Sequence, residues 1–171
     1  MTSMRPPLAI VLACSALALS PQAASARQSS ASCPAELAGW DKRAPAAAAW
    51  GASWLGHARL QPGAGIDATL KPARQVHYVV PLQKAAAEGS FGGMFSFTAD
   101  RAGTYRIALG GPAWIDVVKD GKSLPTAAHG HGQDCPGIRK MVDFKLTPGR
   151  YTLQLSKGAS EKVGLMVARL P

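Results

Sequence analysis

A glycine-rich segment of this sequence, residues 126–137, brings together residue types that bind metal ions. His129 and His131 are separated by one glycine, and Asp134 is followed directly by Cys135. Two imidazoles and one carboxylate with open coordination positions suit iron, and a thiolate added to them suits zinc. The spacing therefore predicts a candidate divalent-metal site at His129, His131 and Asp134. A metal-binding protein or metal-dependent enzyme is one hypothesis for the function.

The same segment is also typical of a surface loop. The histidine pair resembles the metal motif of the cupin class, but that motif lies on a strand and needs another histidine on a later one. Here each histidine is followed by glycine, which predicts a loop, and no histidine follows His131. His57 and His77 could complete a site only if the fold brings them near. The alternative is a surface loop in which Asp134 caps a turn and both histidines are solvated.

The positive charge of the chain indicates an anionic partner other than a nucleic acid. Nineteen lysines and arginines against ten acids give a formal net charge of +9, and the basic residues are scattered. Such a balance favours contact with an anionic envelope polymer. Because the basic residues form no stripe and the chain carries an export signal, nucleic acid is not expected as a partner. The adjacent pair Arg139 and Lys140, beside the histidines, is the candidate ligand or anion contact.

Other catalytic arrangements are not supported by the sequence. There is no Gly-x-Ser-x-Gly elbow for a serine nucleophile and no glycine-rich phosphate loop opening a helix. Paired carboxylates for glycoside hydrolysis would have to come from few acids, several of them at turns. Asp116 and Asp143 alternate with apolar neighbours, which predicts solvated or salt-bridged positions on outward strand faces. We therefore assign no catalytic residue, and the sequence favours a protein that is not an enzyme.

The first 26 residues have the pattern of a cleavable signal peptide. Arg5 precedes an apolar run from Pro7 to Leu19, and Ala24-Ser25-Ala26 is a small-x-small cleavage site after Ala26. That run is shorter than the roughly 20 apolar residues that cross a bilayer, so no transmembrane segment is expected. Cleavage predicts a periplasmic or secreted protein. A minor alternative is a lipoprotein attached through Cys14, in the segment Val11-Leu-Ala-Cys14.

Two cysteines remain after such cleavage, Cys33 and Cys135. In an oxidising compartment an even number of cysteines predicts a disulfide. A bond here would close a loop of about 100 residues, for which chain entropy predicts about 4–5 kcal/mol of stabilisation. The rival interpretation makes both cysteines thiolate ligands of a metal ion.

From residue 61 to 171 the hydrophobic pattern predicts an all-β domain, an antiparallel sandwich or jelly roll of about eight strands. Glycine, proline and aspartate turns separate the apolar runs, and Asp120-Gly121 is a hairpin signal. The predicted strands are Ile66–Leu70, Gln75–Leu82, Gly92–Thr98, Thr104–Leu109, Ala113–Lys119, Ile138–Leu146, Arg150–Ser156 and Lys162–Leu170.

An internal echo supports the sandwich. Phe97 to Leu109 and Phe144 to Leu155 each read as a strand, a tight glycine turn, and a strand that carries a tyrosine and then two aliphatic residues. Tyr105 and Tyr151 stand two residues after their glycines, where a tyrosine can bury its ring and bond backbone across the corner.

Residues 27–60 are expected to form a polar leader followed by an alanine- and tryptophan-rich segment. Ala46 to Leu55 is predicted as a short helix with Trp50 and Trp54 one turn apart on one face. The indoles are expected to cover one end of the sandwich, with ligand stacking as the alternative. A third hypothesis is that residues 36–55 contact an envelope protein.

The phrases Gly103-Thr-Tyr-Arg-Ile-Ala-Leu109, Trp114-Ile-Asp-Val-Val-Lys-Asp-Gly-Lys-Ser-Leu124 and Asp143 to Leu155 resemble the pre-peptidase C-terminal modules of secreted enzymes. This resemblance covers roughly residues 75–170 and implies a β-sandwich that binds or assists rather than catalyses. Such a module usually follows a catalytic domain, and here a histidine loop is inserted in it.

The segments Cys33 to Trp40 and Ala128 to Phe144 are similar to small, mostly uncharacterised exported proteins of sphingomonad-type bacteria, some of which carry the name homogentisate dioxygenase. That name implies a much longer, cytoplasmic, iron-dependent ring-cleaving enzyme, which the export signal and the incomplete ligand set do not support. The sequence favours an exported, non-catalytic β-sandwich that binds through residues 126–140.

Overall fold

The computed structural model describes Met1, residues 33–132 and residues 135–171, and in these residues the chain forms a β-sandwich. The all-β prediction is confirmed. The helices of the described residues are 3₁₀ helices, at Ala35–Asp41, Ala52–Trp54 and Ala73–Gln75. The predicted signal peptide with its cleavage site at Ala26, Cys14, and Asp134 lie outside the described residues.

Twelve strands, numbered along the chain, form the two layers in the part of the chain that the structure describes. The first sheet has the spatial order β1 (Ala44–Ala47), β3 (Gly65–Thr69), β12 (Lys162–Arg169), β6 (Gly103–Leu109), β10 (Lys140–Leu146) and β9 (Ala128–Gly130). The second has the order β2 (Arg59–Leu60), β5 (Phe91–Ala99), β11 (Gly149–Gly158), β7 (Trp114–Lys119) and β8 (Lys122–Ser123), and β4 (Lys71–Pro72) pairs with one end of β5. The pairs β1–β3 and β2–β5 are parallel and the others are antiparallel.

The main core lies between the sheets and is built by alternation. Residues of odd number on β6 face inward, and the residues opposite them on β10 face the same way, as in the register pairs Tyr105–Phe144 and Ile107–Val142. Side chains from both sheets are fully buried there, including Phe95, Leu109, Leu153, Leu155 and Leu165. Burial of this apolar surface is the main favourable term that holds the layers together.

The internal echo of the sequence forms two crossed corners. In the first copy the chain leaves the second sheet on β5 and enters the first on β6, whereas the second copy runs from β10 to β11 in the opposite sense. Each tyrosine lies opposite the phenylalanine of the other copy, since Tyr151 pairs with Phe97 and Tyr105 with Phe144. Tyr105 donates to the carbonyl of Arg101 at 3.0 Å and Tyr151 to that of Thr147 at 2.7 Å. The predicted tyrosine corners are confirmed.

Each predicted strand but one is present, with small shifts at its ends. The Asp120-Gly121 turn joins β7 to β8, and both of its residues have the positive φ, 48° and 72°, that a tight hairpin turn of this type needs. The exception is Gln75–Leu82, which is not a strand. It begins in a 3₁₀ helix and then crosses the outer face of the second sheet as an extended strap.

Two buried polar side chains hold this strap, defined as residues 76–84. Gln154, fully buried on β11, accepts from the amides of Val79 and Val80 at 2.9 and 3.2 Å and donates to the carbonyl of Val80. Asp116 accepts from the amide of Gln83. Because these side chains bond several backbone groups of the strap, it is held to the sheet without strand pairing.

Tyr78 anchors the same strap. Its hydroxyl donates to the carbonyl of Leu155 at 2.9 Å, in a space that a side chain at position 92 would fill, so Gly92 is required there. Burial, with a smaller contribution from the charge of Asp116, raises the pKa of Tyr78 to about 12. The hydroxyl therefore remains a donor at any physiological pH.

The helix predicted at Ala46–Leu55 is also wrong. Its first residues belong to β1, Ala49 bridges to Met94, and a 3₁₀ turn follows only at Ala52–Trp54. Ala48 packs against Gly93 so closely that a Cβ on Gly93 would overlap it. Small side chains here allow close backbone approach, which overrides the helix propensity of alanine. As a result, residues 27–60 contribute β1 and β2 to the sheets.

The 3₁₀ helix Ala35–Asp41 covers the outer face of the first sheet and forms a second, smaller core. Leu37 and Trp40 are buried there with Ala108, Ile138, Met166 and Ala168. The indole of Trp40 donates to the carbonyl of Pro136 at 3.1 Å, and Cys33 is bonded to Cys135 across a Cα–Cα distance of 4.4 Å. The predicted disulfide is confirmed, and it fixes the amino-terminal segment to the loop that follows the histidines.

Candidate functional site

The histidines lie at one edge of the sandwich, where β9 ends the first sheet and β8 ends the second. His129 is part of β9 and is opposite Val142 of β10, so the prediction that both histidines lie in a loop is wrong for His129. Because Val142 faces the core, the side chain of His129 is directed towards the gap between the sheets. The edge strand exists because Ala128 to Gly130 pair with the free side of β10.

Lys140 spans the gap at this edge. It shares the inward parity of Val142 and Phe144 on β10, and its ammonium donates to the carbonyl of Ala113, just before β7 of the other sheet, at 2.6 Å. Burial lowers the pKa of Lys140 below its ordinary value because the charged form loses water. A positive charge is thus held between the two layers.

An indole and a second lysine complete this arrangement. The Lys140 ammonium lies 5.5 Å from the ring centroid of Trp114, and that of Lys84, from the strap, lies 5.7 Å from it. The indole of Trp114 donates to Asp116 at 2.9 Å, which fixes its orientation. Each ammonium group is within the range of a favourable cation–π contact with this one ring.

Trp114, His129 and Lys140 border an open cleft between the sheets, which we call the edge cleft. One part has a volume of about 310 Å³ and is bounded by Trp114, Ile115, Thr126, His129, Lys140 and Val142. A neighbouring part of about 500 Å³ shares His129 and Lys140 with it and adds His131 and Arg139. The walls are apolar where Ile115 and Val142 face inward, and the rim is cationic.

The candidate residues are only partly brought together. His129, His131, Arg139 and Lys140 all line the edge cleft, and the ring nitrogen Nδ1 of His131 lies 3.3 Å from the carbonyl of Arg139. His57 and His77 are elsewhere, beside Trp54 and Trp50 respectively. Among the residues that the structure describes, no three His, Cys, Asp or Glu side chains lie close enough to hold one ion.

The disulfide changes the metal hypothesis. Cys135 is bonded to Cys33 and has no thiolate to offer, so the interpretation of the two cysteines as metal ligands is wrong. The set His129, His131 and Asp134 stays a prediction, since Asp134 lies outside the described residues.

The two strand aspartates are more buried than expected, and the predicted salt bridge is confirmed for Asp143 alone of the two. Both are on outer faces, but Asp116 and Asp143 are 2% and 7% exposed. Asp143 accepts two hydrogen bonds from Arg106, of 2.8 and 2.9 Å. These bonds are the main reason why the pKa of the Arg106 guanidinium is raised. Asp116 is covered by the strap and binds Trp114 and Gln83, so its predicted solvated or ion-paired state is wrong.

The sequence analysis missed Trp114 as a residue of the edge cleft and Lys84 as a neighbour of its ring. For Trp114 a signal was available, because Trp114 and Asp116 share one face of a strand and an indole there can donate to the carboxylate. For Lys84 there was none. Its position depends on the strap, which is held by long-range bonds to Gln154, Asp116 and Leu155.

Comparison with known proteins adds no family. A scan against protein-family models finds no match, and a search of curated proteins finds no significant match. The class of protein that the structure defines is therefore an all-β sandwich with a disulfide and an open, cation-rimmed edge. The disulfide suggests an oxidising compartment. In the described part of the chain, no helix is long and apolar enough to cross a membrane.

Proposed function

We propose that this protein is an exported, non-catalytic β-sandwich that binds an organic anion in the edge cleft. The observation that carries the proposal is Lys140, a half-buried ammonium held against Trp114 to which no carboxylate of the described residues is bound. In the described residues the ion pairs are Arg43–Asp67 and Arg106–Asp143, and neither involves the cleft. A buried charge without a counter-ion is costly, and a bound anion removes that cost.

The shape of the cleft defines the ligand further. Ile115 and Val142 offer an apolar wall and Trp114 a ring face, while Lys140 and Arg139 offer charge-assisted hydrogen bonds at the rim. This combination suits an anion that carries an apolar or aromatic part, rather than a bare inorganic ion. The anionic groups of an envelope polymer with such substituents belong to this class.

The resemblance to pre-peptidase C-terminal modules agrees with this proposal, since those modules bind or assist. An accessory role in the envelope is therefore part of it. Export itself is supported by the signal-peptide pattern of residues 1–26 and by the disulfide, and mass spectrometry of the mature protein tests it. A mature chain that still carries residues 1–26, or one lipidated at Cys14, would contradict the proposed cleavage after Ala26.

The binding test uses phenyl phosphate as the probe, with phenol and inorganic phosphate as its two halves. We expect isothermal titration calorimetry to show tighter binding of phenyl phosphate than of either half. Lys140→Met should weaken that binding about tenfold or more, because it removes a charged hydrogen-bond donor. Lys145→Met is the matched control, since Lys145 is an exposed lysine of the same strand. Equal loss in both variants, or no binding of phenyl phosphate, would contradict the proposal.

A metal-binding function is a second candidate, and one observation favours it: His129 and His131 line the same cavity. Elemental analysis of protein purified from the periplasm tests it. One equivalent of iron, zinc or copper, lost in His129→Ala, would establish a metal site with Asp134 as the expected carboxylate. Strongly substoichiometric metal would exclude it.

A further inference from the structure

At the opposite edge of the sandwich, two indoles are left in water. Trp50 and Trp54 are 40% and 45% exposed, and with Met1 and Val79 they are the exposed large apolar side chains of the described residues. The edge is formed by β1 and β2, at the far side of both sheets from β8 and β9. Adjacent exposed aromatics are unusual in a soluble domain and mark contact sites.

The backbone around these indoles is firmly held. The turn at Ala52–Trp54 is closed by hydrogen bonds from the amides of Trp54 and His57 to the carbonyls of Gly51 and Trp54, both 3.0 Å. Ser96 of β5 donates its hydroxyl to the carbonyl of Leu55 at 3.0 Å. On the other side, the amide of His77 donates to the carbonyl of Trp50 at 2.8 Å. The rings are thus presented by a preorganised turn, which lowers the entropic cost of binding.

Three rings form a row on this turn. The ring centroids of Trp50 and Trp54 are 5.5 Å apart with an interplanar angle of 33°, and those of Trp54 and His57 are 6.0 Å apart at 51°. We call Trp50, Trp54 and His57 the aromatic row. Their mutual packing holds the side chains in place while more than a third of each indole stays accessible.

A polar groove is linked through Arg59 to the turn that carries the aromatic row. It has a volume of about 250 Å³, and its polar lining comes from Arg59, Gln61, Ser96, Thr98, Asp100 and Arg150. Arg59 connects the two features, because its Nε donates to the carbonyl of Gly56 within the same turn at 3.1 Å. The groove offers donors and acceptors side by side: guanidinium, amide, hydroxyl and carboxylate groups.

We propose that the aromatic row and this groove bind the pyranose rings of a glycan. A pyranose has an apolar face of C–H groups that packs on an indole and a rim of hydroxyls that both donate and accept hydrogen bonds. The row supplies the ring faces, and the groove supplies the mixed donors and acceptors. A lipid would need a continuous apolar surface, which the polar groove interrupts, and Asp100 opposes a purely polyanionic strand.

This site does not depend on the edge cleft or on its anion. The two lie at opposite edges of both sheets and share none of their lining residues. Failure of either binding test therefore leaves the other proposal standing.

The test is binding of the full mature chain to an array of plant and bacterial glycans. We expect binding to at least one pyranose glycan, with a dissociation constant at least tenfold weaker in Trp50→Ala and in Trp54→Ala. Trp54→Phe should keep part of the affinity. Val79→Ala is the matched control, since Val79 is also an exposed apolar residue but lies outside the row and the groove.

Thermal unfolding distinguishes a lost site from a lost fold. Because both indoles are exposed, their removal should leave the melting temperature nearly unchanged. Arg59→Ala should weaken binding without removing any ring. The proposal is overturned if no glycan on the array binds, if Val79→Ala weakens binding as much as the tryptophan variants do, or if the indoles instead mediate self-association or capture of a protein.

Discussion

The two edges of the sandwich, β8–β9 and β1–β2, differ in the side chains that they present. At the β8–β9 edge the gap between the layers is bridged by Lys140 and bounded by Trp114, and the Cys33–Cys135 bond fixes the loop that follows the histidines. At the β1–β2 edge, short parallel strands end the sheets and a tight turn presents the aromatic row. One edge concentrates charge around a cleft, and the other exposes ring faces beside a polar groove.

This difference shows how one scaffold can carry two kinds of recognition. Charge in a half-buried cleft gives selectivity for anions because desolvation strengthens the interaction. Exposed indoles act through contact area, which depends little on pH or salt. A disulfide and buried side-chain hydrogen bonds stabilise the first edge, whereas at the second a short turn is held to its neighbours mainly through backbone carbonyls. Variants should therefore separate the two edges.

The largest expected effect is the loss of the disulfide. Replacing Cys33 and Cys135 together by serine should lower the free energy of unfolding by about 4–5 kcal/mol, because the bond spans 102 positions of the chain. Denaturant unfolding measures this. Hydrogen exchange should rise at residues 135–139 more than at residues 51–58. Equal change at both edges would contradict the assignment of the disulfide to the β8–β9 edge.

A smaller difference is expected from one hydrogen-bonding residue at each edge. Asp116→Ala leaves the Trp114 indole and the Gln83 amide without their partner, and should cost about 1–3 kcal/mol of unfolding free energy. Ser96→Ala removes a hydroxyl that donates to the carbonyl of Leu55 and, at longer range, of Ala58, and should cost about 0.5–1.5 kcal/mol. Chemical denaturation compares the two. A larger loss in Ser96→Ala would contradict the view that the strap supports the cleft.

The smallest effect is on pH dependence. Because burial lowers the pKa of Lys140, its ammonium loses its proton at a lower pH than an ordinary lysine does. In the unliganded protein, the cost of burying this charge is present below that lowered pKa and is relieved as the pH rises through it. Binding of phenyl phosphate requires the charged form, so its affinity should fall over the same alkaline range.

Lys140→Arg provides the control for this pH effect, since a guanidinium stays charged throughout. Its affinity for the probe should be independent of pH between about 8 and 11. Glycan binding at the aromatic row should also be unaffected over this range. A parallel decline in the wild type and in Lys140→Arg would assign the pH dependence to another group.

Several elements could be predicted because their causes are local. The Asp120-Gly121 hairpin follows from residues that accept positive φ, and the tyrosine corners follow from a tyrosine at a fixed distance after a turn. The disulfide followed from the cysteine count and the predicted compartment. The predictions of a helix at 46–55 and a strand at 75–82 were wrong because distant residues decide the structure of both segments. Gly93 leaves space for the side chain of Ala48, and Gln154 binds the strap.

Only part of the edge cleft could be predicted from the sequence, for the same reason. Arg139 and Lys140 stood out as an adjacent pair, but nothing local indicates that Lys140 reaches across to Ala113 while Arg139 stays at the rim. The alternation of side chains along β10 places Lys140 on the inward face, with Val142 and Phe144. The cleft itself exists because the second sheet ends opposite Lys140. His57 and His77 could not be placed from the sequence at all.

The sequence by itself determined the sandwich class and the two tyrosine corners, because alternation and turn chemistry depend on neighbours along the chain. It also indicated the pairing of Cys33 with Cys135, because two cysteines remain after the predicted cleavage. Tertiary structure alone decided that residues 76–84 form a strap, that Lys140 lies against Trp114, and that Trp50 and Trp54 stay in water. Those features depend on which surfaces the folded layers cover, and that is settled by contacts between residues far apart in the chain.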